Sequence, residues 1–359
     1  MDSTSTFSKR IALTGCDNWL GCCTACHLAQ ELEKKCKDVQ LVCLTRKPEK
    51  LERLGKYKNV RIEEVDYDDE KTIEKAIRGV RCTILIAEMN ERRVKQANNV
   101  LTAMKNQSVR SCMMISVEGA GESSHLKELH SFGEIENTVK ECCDEHLILR
   151  KSILNQCFLF WSPIVQEKCE FPTLTTKQCE MTPLDICDLV CAVEKIVIDH
   201  CHGQLSEDLG GFDHHTNKTY TLTGPEKINF EQLAREIGEI TGEEIEVKEV
   251  SREELKRYLE KLKHRDHWDE EIYVMQCQDL LGGSVHVEGG DHRGDHDGGN
   301  PHYAPNESTT NLLLDELELI KRGEANFVSG DLEKIIGHQG KLIKDFLRKE
   351  KNAFKPHRD

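Results

Sequence analysis

Several things are scarce in this 359-residue chain. No run approaches the roughly 18 consecutive apolar residues of a membrane-spanning helix, which excludes a membrane span. Cations are outnumbered: the formal net charge is −15 and aromatic residues make up only 5% of the chain. An acidic protein repels nucleic-acid phosphate unless a local basic patch overrides the repulsion. No basic patch with interleaved aromatics is present, so direct nucleic-acid binding is not expected. Lys and Arg are instead mixed with Glu along helical stretches such as Glu253 to Lys263, the pattern of a solvated face. An export signal is not expected either, because Met1 to Arg10 is Ser/Thr-rich, short and polar. The 17 cysteines are not spaced as a disulfide framework. Cys43, Cys82, Cys112, Cys187 and Cys191 fall inside predicted strands and helices. They are read as reduced, small core residues of a cytoplasmic protein.

The first 150 residues alternate strand and helix with short connections. Strands are predicted at Arg10 to Thr14, Val39 to Leu44, Val60 to Val65, Cys82 to Ala87, Ser111 to Val117 and His146 to Arg150. Helices are predicted at Leu20 to Lys35, Thr72 to Gly79, Arg92 to Gln107 and Phe132 to Cys143. Apolar strands without polar alternation, joined by helices, indicate a parallel, doubly wound α/β sheet. We expect a Rossmann core over 1–155 and a smaller α/β lobe over 156–359, interleaved with the core. In that lobe a helix is expected from Asp185 to His200 and a strand from Tyr220 to Thr223. Asn229 should cap a helix over Phe230 to Thr241 that Gly242 ends. Residues 264–305 are rich in His, Asp and Gly and poor in aliphatics, and are read as a mobile insertion.

The first predicted strand runs into Thr14-Gly15-Cys16-Asp17-Asn18-Trp19-Leu20-Gly21 and then a helix. A dinucleotide pyrophosphate needs a tight turn whose backbone N–H groups lie at a helix N-terminus. Gly15 permits the turn and Gly21 permits close packing of helix on sheet. Asn18 stands where a middle glycine is usual; Asn tolerates left-handed backbone, though its amide would crowd the phosphate. Cofactor contacts are expected from Gly15, Asn18, Trp19, Leu20 and Gly21. The second strand ends in Arg46 and Lys47, without the acid that binds a ribose 2′-hydroxyl. Cations there suit a 2′-phosphate, so NADP(H) is expected ahead of NAD(H). Asp66, after the third strand, is placed at the adenine edge.

In order along the chain, these features resemble the NmrA-like atypical short-chain dehydrogenase/reductases: the glycine loop, Thr45-Arg46-Lys47, Val65-Asp66, Gly133-Glu134-Ile135-Glu136, Thr182-Pro183-Leu184-Asp185-Ile186 and Tyr220 to Glu226. The resemblance covers about 10–260 and 312–354. It implies an NADP(H)-dependent oxidoreductase acting on a small carbonyl, quinone or enone. The alternative it carries is a redox sensor that binds NADP(H) without turnover and regulates a protein partner.

Catalytic groups are harder to find. The one Tyr-x-x-x-Lys, Tyr67 to Lys71, follows the third strand, away from the helix that carries this pair in extended reductases, and is read as coincidence. Relatives of the NmrA type place a Lys just before the Gly-x-Ile-Glu segment; here Phe132 stands there. His130 is a weak candidate proton donor, with a surface or pocket histidine as the plainer reading. Asn155 is a candidate for orienting the nicotinamide carboxamide, with its neighbour Gln156; both could equally fix a loop. Cys23-Thr24-Ala25-Cys26 is read as small filling on the sheet-facing side of the first helix, with a lowered-pKa redox pair as the alternative. The histidines and acids from His264 to His302 lack the spacing of a fixed metal site, and no metal is expected.

Overall fold

The computed structural model describes residues 7–121, 125–202, 212–262 and 305–355. The His/Asp/Gly-rich stretch expected as an insertion lies almost wholly outside the described residues.

Six strands appear in the predicted order: β1 (Lys9–Leu13), β2 (Val39–Thr45), β3 (Val60–Glu64), β4 (Cys82–Ile86), β5 (Ser111–Val117) and β6 (Glu145–Lys151). Four helices connect them: α1 (Trp19–Lys35), α2 (Glu70–Ala76), α3 (Arg93–Asn106) and α4 (Lys127–Cys142). Every residue of β4 and β5 is buried, as a strand covered on both faces requires. The sheet has seven strands, ordered β3-β2-β1-β4-β5-β6-β9, with β9 at Lys218–Leu222. β1 pairs parallel with both β2 and β4, and the β2–β3 and β4–β5 pairs are also parallel. This is the doubly wound Rossmann-type sheet expected from the alternation.

Two compact units divide the chain. The first takes the described residues within Met1–His125, His130–Arg150 and Val190–Tyr220. Its α1 buries small residues, among them Cys22, Cys23, Ala25, Cys26 and Ala29, which lets the helix approach neighbouring chain closely. Gly133 has a similar cause, because a Cβ there would collide with the Gly121 backbone. α6 (Ile186–His202) contributes its C-terminal part to this unit.

The second unit takes Leu126–Leu129, Lys151–Leu189 and the described residues within Thr221–Asp359. It contains α5 (Ser162–Lys168) and four short strands, β7 (Glu170–Thr173), β8 (Glu180–Met181), β10 (Ile228–Asn229) and β11 (Glu246–Glu249). Helices α7 (Phe230–Thr241), α8 (Arg252–Lys261) and α9 (Glu307–Lys321) follow. The Asn229 cap forms a full capping box with Gln232, and Gly242 ends α7 in the left-handed conformation at φ +79°. The scarce aromatics concentrate here: Trp161 stacks on Phe171 at 5.1 Å between ring centroids, flanked by Phe158 and Phe230. Gly224 is forced by the Pro183 carbonyl, which a Cβ at that position would strike. Lys151 Nζ meets Glu316 Oε1 at 2.7 Å, a buried ion pair.

Candidate cofactor-binding site

The turn between β1 and α1 is built by a few backbone and side-chain bonds. Gly15 takes φ +63°, the left-handed region that favours glycine. A Cβ at Gly21 would collide with the Gly15 carbonyl, so the helix start and the turn touch through bare backbone. Asn18 corrects the expectation placed on it. Its backbone is extended, at φ −91° and ψ 162°, and it is the N-cap of α1. The left-handed residue of the turn is Gly15, which leaves Asn18 free to cap. Its Oδ1 accepts from the Gly21 N–H at 2.8 Å.

Tyr67 holds the turn from the other side. The buried phenol oxygen accepts from the Gly15 N–H at 2.7 Å, and its O–H donates to the Leu44 carbonyl at 3.1 Å. The Cys16 N–H donates to that same carbonyl at 3.1 Å. Burial, and then the nearby Glu88 carboxylate, push the Tyr67 phenol well above its ordinary range. Tyr67 is therefore a neutral tether of the turn. Lys71 is exposed, so the two do not act as a Tyr-Lys pair.

Arg46, at the end of β2, reaches across the turn. Its Nη2 stands 3.1 Å from Asp17 Oδ2 and 2.7 Å from Glu88 Oε2. Its backbone N–H also donates to Asp17 Oδ1 at 3.3 Å. Glu88 follows β4 and is 4% exposed. Burial and the Asp17 carboxylate push it up to about 7, against the pull of Arg46. The cation expected to face solvent and phosphate is thus already held by two acids. In the sequence Tyr67 stands out only as part of a chance Tyr-x-x-x-Lys and neither acid carries a signal, because each matters only once folding brings them together.

Asn18 Nδ2 and Glu88 Oε1 are buried at the turn without a hydrogen-bond partner. One is a donor suited to a phosphate oxygen and the other an acceptor suited to a ribose hydroxyl. The residues present therefore fit a dinucleotide.

The other predicted residues are dispersed. Trp19 and Leu20 open α1 and are partly buried. Lys47 is exposed, its N–H donating to Thr45 Oγ1. Asp66 is exposed and caps the Asp68 N–H at 2.9 Å. His130 is exposed on α4. Phe132 is buried beneath the Arg93 guanidinium, 5.0 Å from the ring centroid, and supplies packing. In the second unit Asn155 is fully buried with both side-chain amide atoms unpartnered. Gln156 is committed to its own loop: its amide donates to Asp185 at 3.2 Å and accepts from the Ile186 N–H. Cys23 and Cys26 are buried, as filling requires. The neighbouring Cys22 thiol is pushed up by its bond with Cys26 and by burial, so the helix start does not lower it.

Residues 23–158 match the family model described as NAD(P)H-binding. The chain thus carries an NAD(P)H-binding domain of the Rossmann type. No curated protein matches the sequence significantly. Among solved structures, an NADPH-dependent quinone oxidoreductase of Escherichia coli, crystallised with NADPH, has 19% identity and a TM-score of 0.70, covering 95% of this chain and 99% of that one. The triphenylmethane reductase of Citrobacter sp., complexed with NADP(H), has 21% identity and a TM-score of 0.69 over 95% and 99%. A nucleoside-diphosphate-sugar epimerase of Staphylococcus aureus has 15% identity and a TM-score of 0.67 over 94% and 99%. At these identities the likeness establishes the fold. Among the described residues no helix is long and apolar enough to cross a membrane.

Proposed function

We propose that the protein is an NmrA-like NADP(H)-dependent oxidoreductase acting on a small quinone, carbonyl or enone. The carrying observation is the turn from Gly15 to Gly21, where Asn18 Nδ2 is unpartnered and the buried Glu88, its Oε1 unpartnered, meets Arg46. Bound NADPH supplies a hydride. The chain supplies positioning: Gly15 and Gly21 shape the backbone cradle, Tyr67 fixes it, and Arg46 offers a guanidinium for a 2′-phosphate. Trp19, Leu20, Lys47 and Asp66 complete the cofactor set. The buried, unpartnered amide of Asn155 suits a polar group such as the nicotinamide carboxamide. His130 stays the one candidate proton donor, and quinone-type acceptors tolerate a weak one.

A second reading has its own support. Phe132, buried under Arg93 at the position of the usual Lys, suits an NADP(H)-sensing regulator that binds a protein partner and does not turn over. Two measurements separate these readings: NADPH titration, and NADPH oxidation with a panel of quinones, aldehydes and enones. Turnover with any of them supports the oxidoreductase. Tight NADPH binding with no oxidation leaves the regulator, and absence of binding overturns both.

A further inference from the structure

We propose that His27, Cys191 and Glu194 form a binding site for a divalent cation of the zinc class, joining α1 to α6 within the first unit. His27 lies midway along α1 and is 6% exposed. Its Nδ1 has no hydrogen-bond partner, and its Nε2 pairs with the Glu194 carboxylate. A buried polar group left unsatisfied costs about 1–3 kcal/mol, so a buried imidazole with one unpartnered nitrogen has room for a ligand. The nitrogen Nε2 faces Glu194 Oε2 at 3.5 Å.

Cys191 and Glu194 are three residues apart on α6, which puts them on one face of the helix. One ligand atom from each of the three residues lies within 4.8 Å of the others. Zinc bonds of about 2.0–2.3 Å imply ligand separations of roughly 3.5 Å in a tetrahedral site. Lys35 Nζ holds Glu194 Oε1 at 2.8 Å, which orients the carboxylate and leaves Oε2 toward His27. Three protein ligands leave a fourth position for water. Cys191 and Glu194 are partly exposed, so an ion can enter from solvent.

The donor set selects the metal. Imidazole and thiolate favour zinc over magnesium or calcium, which prefer oxygen alone. On binding, the Cys191 S–H bond breaks, a sulfur–metal bond forms and the proton passes to solvent. No residue of the Gly15–Gly21 turn takes part.

The test uses the full chain after chelator treatment, with Co2+ as a spectroscopic probe and Zn2+ as competitor. We expect one equivalent of Co2+ to produce a thiolate-to-cobalt charge-transfer band that Zn2+ abolishes, and Zn2+ to raise Tm. Cys191→Ser should remove the band, and His27→Gln or Glu194→Gln should weaken Zn2+ binding at least about 10-fold. The His-rich stretch of the chain can take up metal without these residues, so dependence on Cys191 decides. A band that persists in Cys191→Ser, or no band in the unaltered protein, overturns the proposal. If Cys191→Ser folds poorly, unaltered Zn2+ affinity in Glu194→Gln overturns it equally.

Discussion

Replacing Glu88 by Gln should remove a pH dependence from cofactor binding. Glu88 is buried beside Asp17 and holds a proton up to about pH 7. A pyrophosphate arriving at the Gly15–Gly21 turn adds negative charge, so binding favours the protonated acid. If the complex keeps that proton throughout, affinity falls about 10-fold, or about 1.4 kcal/mol, from near pH 6 to near pH 8. NADH is the suitable ligand, because it lacks a 2′-phosphate whose own titration near pH 6 would overlap. Calorimetric or fluorescence titration should show the slope in the unaltered protein and a flat profile in Glu88→Gln. Folding carries the same linkage. The folded pKa lies above the ordinary value of 4.5, so this contribution to stability is full below that value and is lost as pH rises through about 7. The loss amounts to at most about 3 kcal/mol, and Glu88→Gln should make the Tm profile flatter across that window. Parallel affinity profiles in the two proteins, or tighter binding at the higher pH, would refute the reasoning.

Gly21→Ala sets a Cβ against the Gly15 carbonyl, and should abolish measurable NADPH binding while the far-ultraviolet circular dichroism keeps its shape. Tyr67→Phe removes the hydroxyl that ties Gly15 to Leu44; chemical denaturation should show a loss of about 1–3 kcal/mol, and NADPH affinity should drop with it. Arg46→Ala should lower NADPH affinity about 10-fold or more while changing NADH affinity little, and equal losses for the two cofactors would count against a 2′-phosphate contact. Lys151→Met leaves Glu316 buried without its cation and should cost about 3–5 kcal/mol by denaturant titration, whereas a loss below about 1 kcal/mol would show the pair to be solvated.

Much of the sheet was legible in the sequence because its strands are short apolar runs separated by helices of clear period. The capped helix Phe230–Thr241 was legible for a local reason: Asn229, Gln232 and Gly242 make their own boundaries. Lys218–Leu222 was less so. Its pattern marks a strand, and only its non-local pairing places it in the main sheet. The glycine turn was readable from spacing, yet the left-handed backbone that Asn18 could have tolerated falls to Gly15, and Asn18 is extended. Tyr67 looked like half of a misplaced catalytic pair, and its bond to Gly15 comes from a residue 52 positions away. Glu88 gave no signal, since an acid after a strand acquires meaning only beside Asp17 and Arg46.

The central place of β1 bears on how the chain reaches this fold. β1 lies between β2 and β4, so one of its neighbours arrives about 70 residues later in the chain. Lys9 donates to the Cys201 carbonyl across 192 residues, and Lys35 meets Glu194 across 159. Closing such spans before their contacts form makes folding slow and leaves apolar strands exposed meanwhile. The matched stretch 23–158 omits β1 altogether. Expressed alone, it would lack β9 as well and present β2, β4 and β6 with open edges, and should aggregate, while adding a peptide covering residues 7–22 should rescue its solubility only in part.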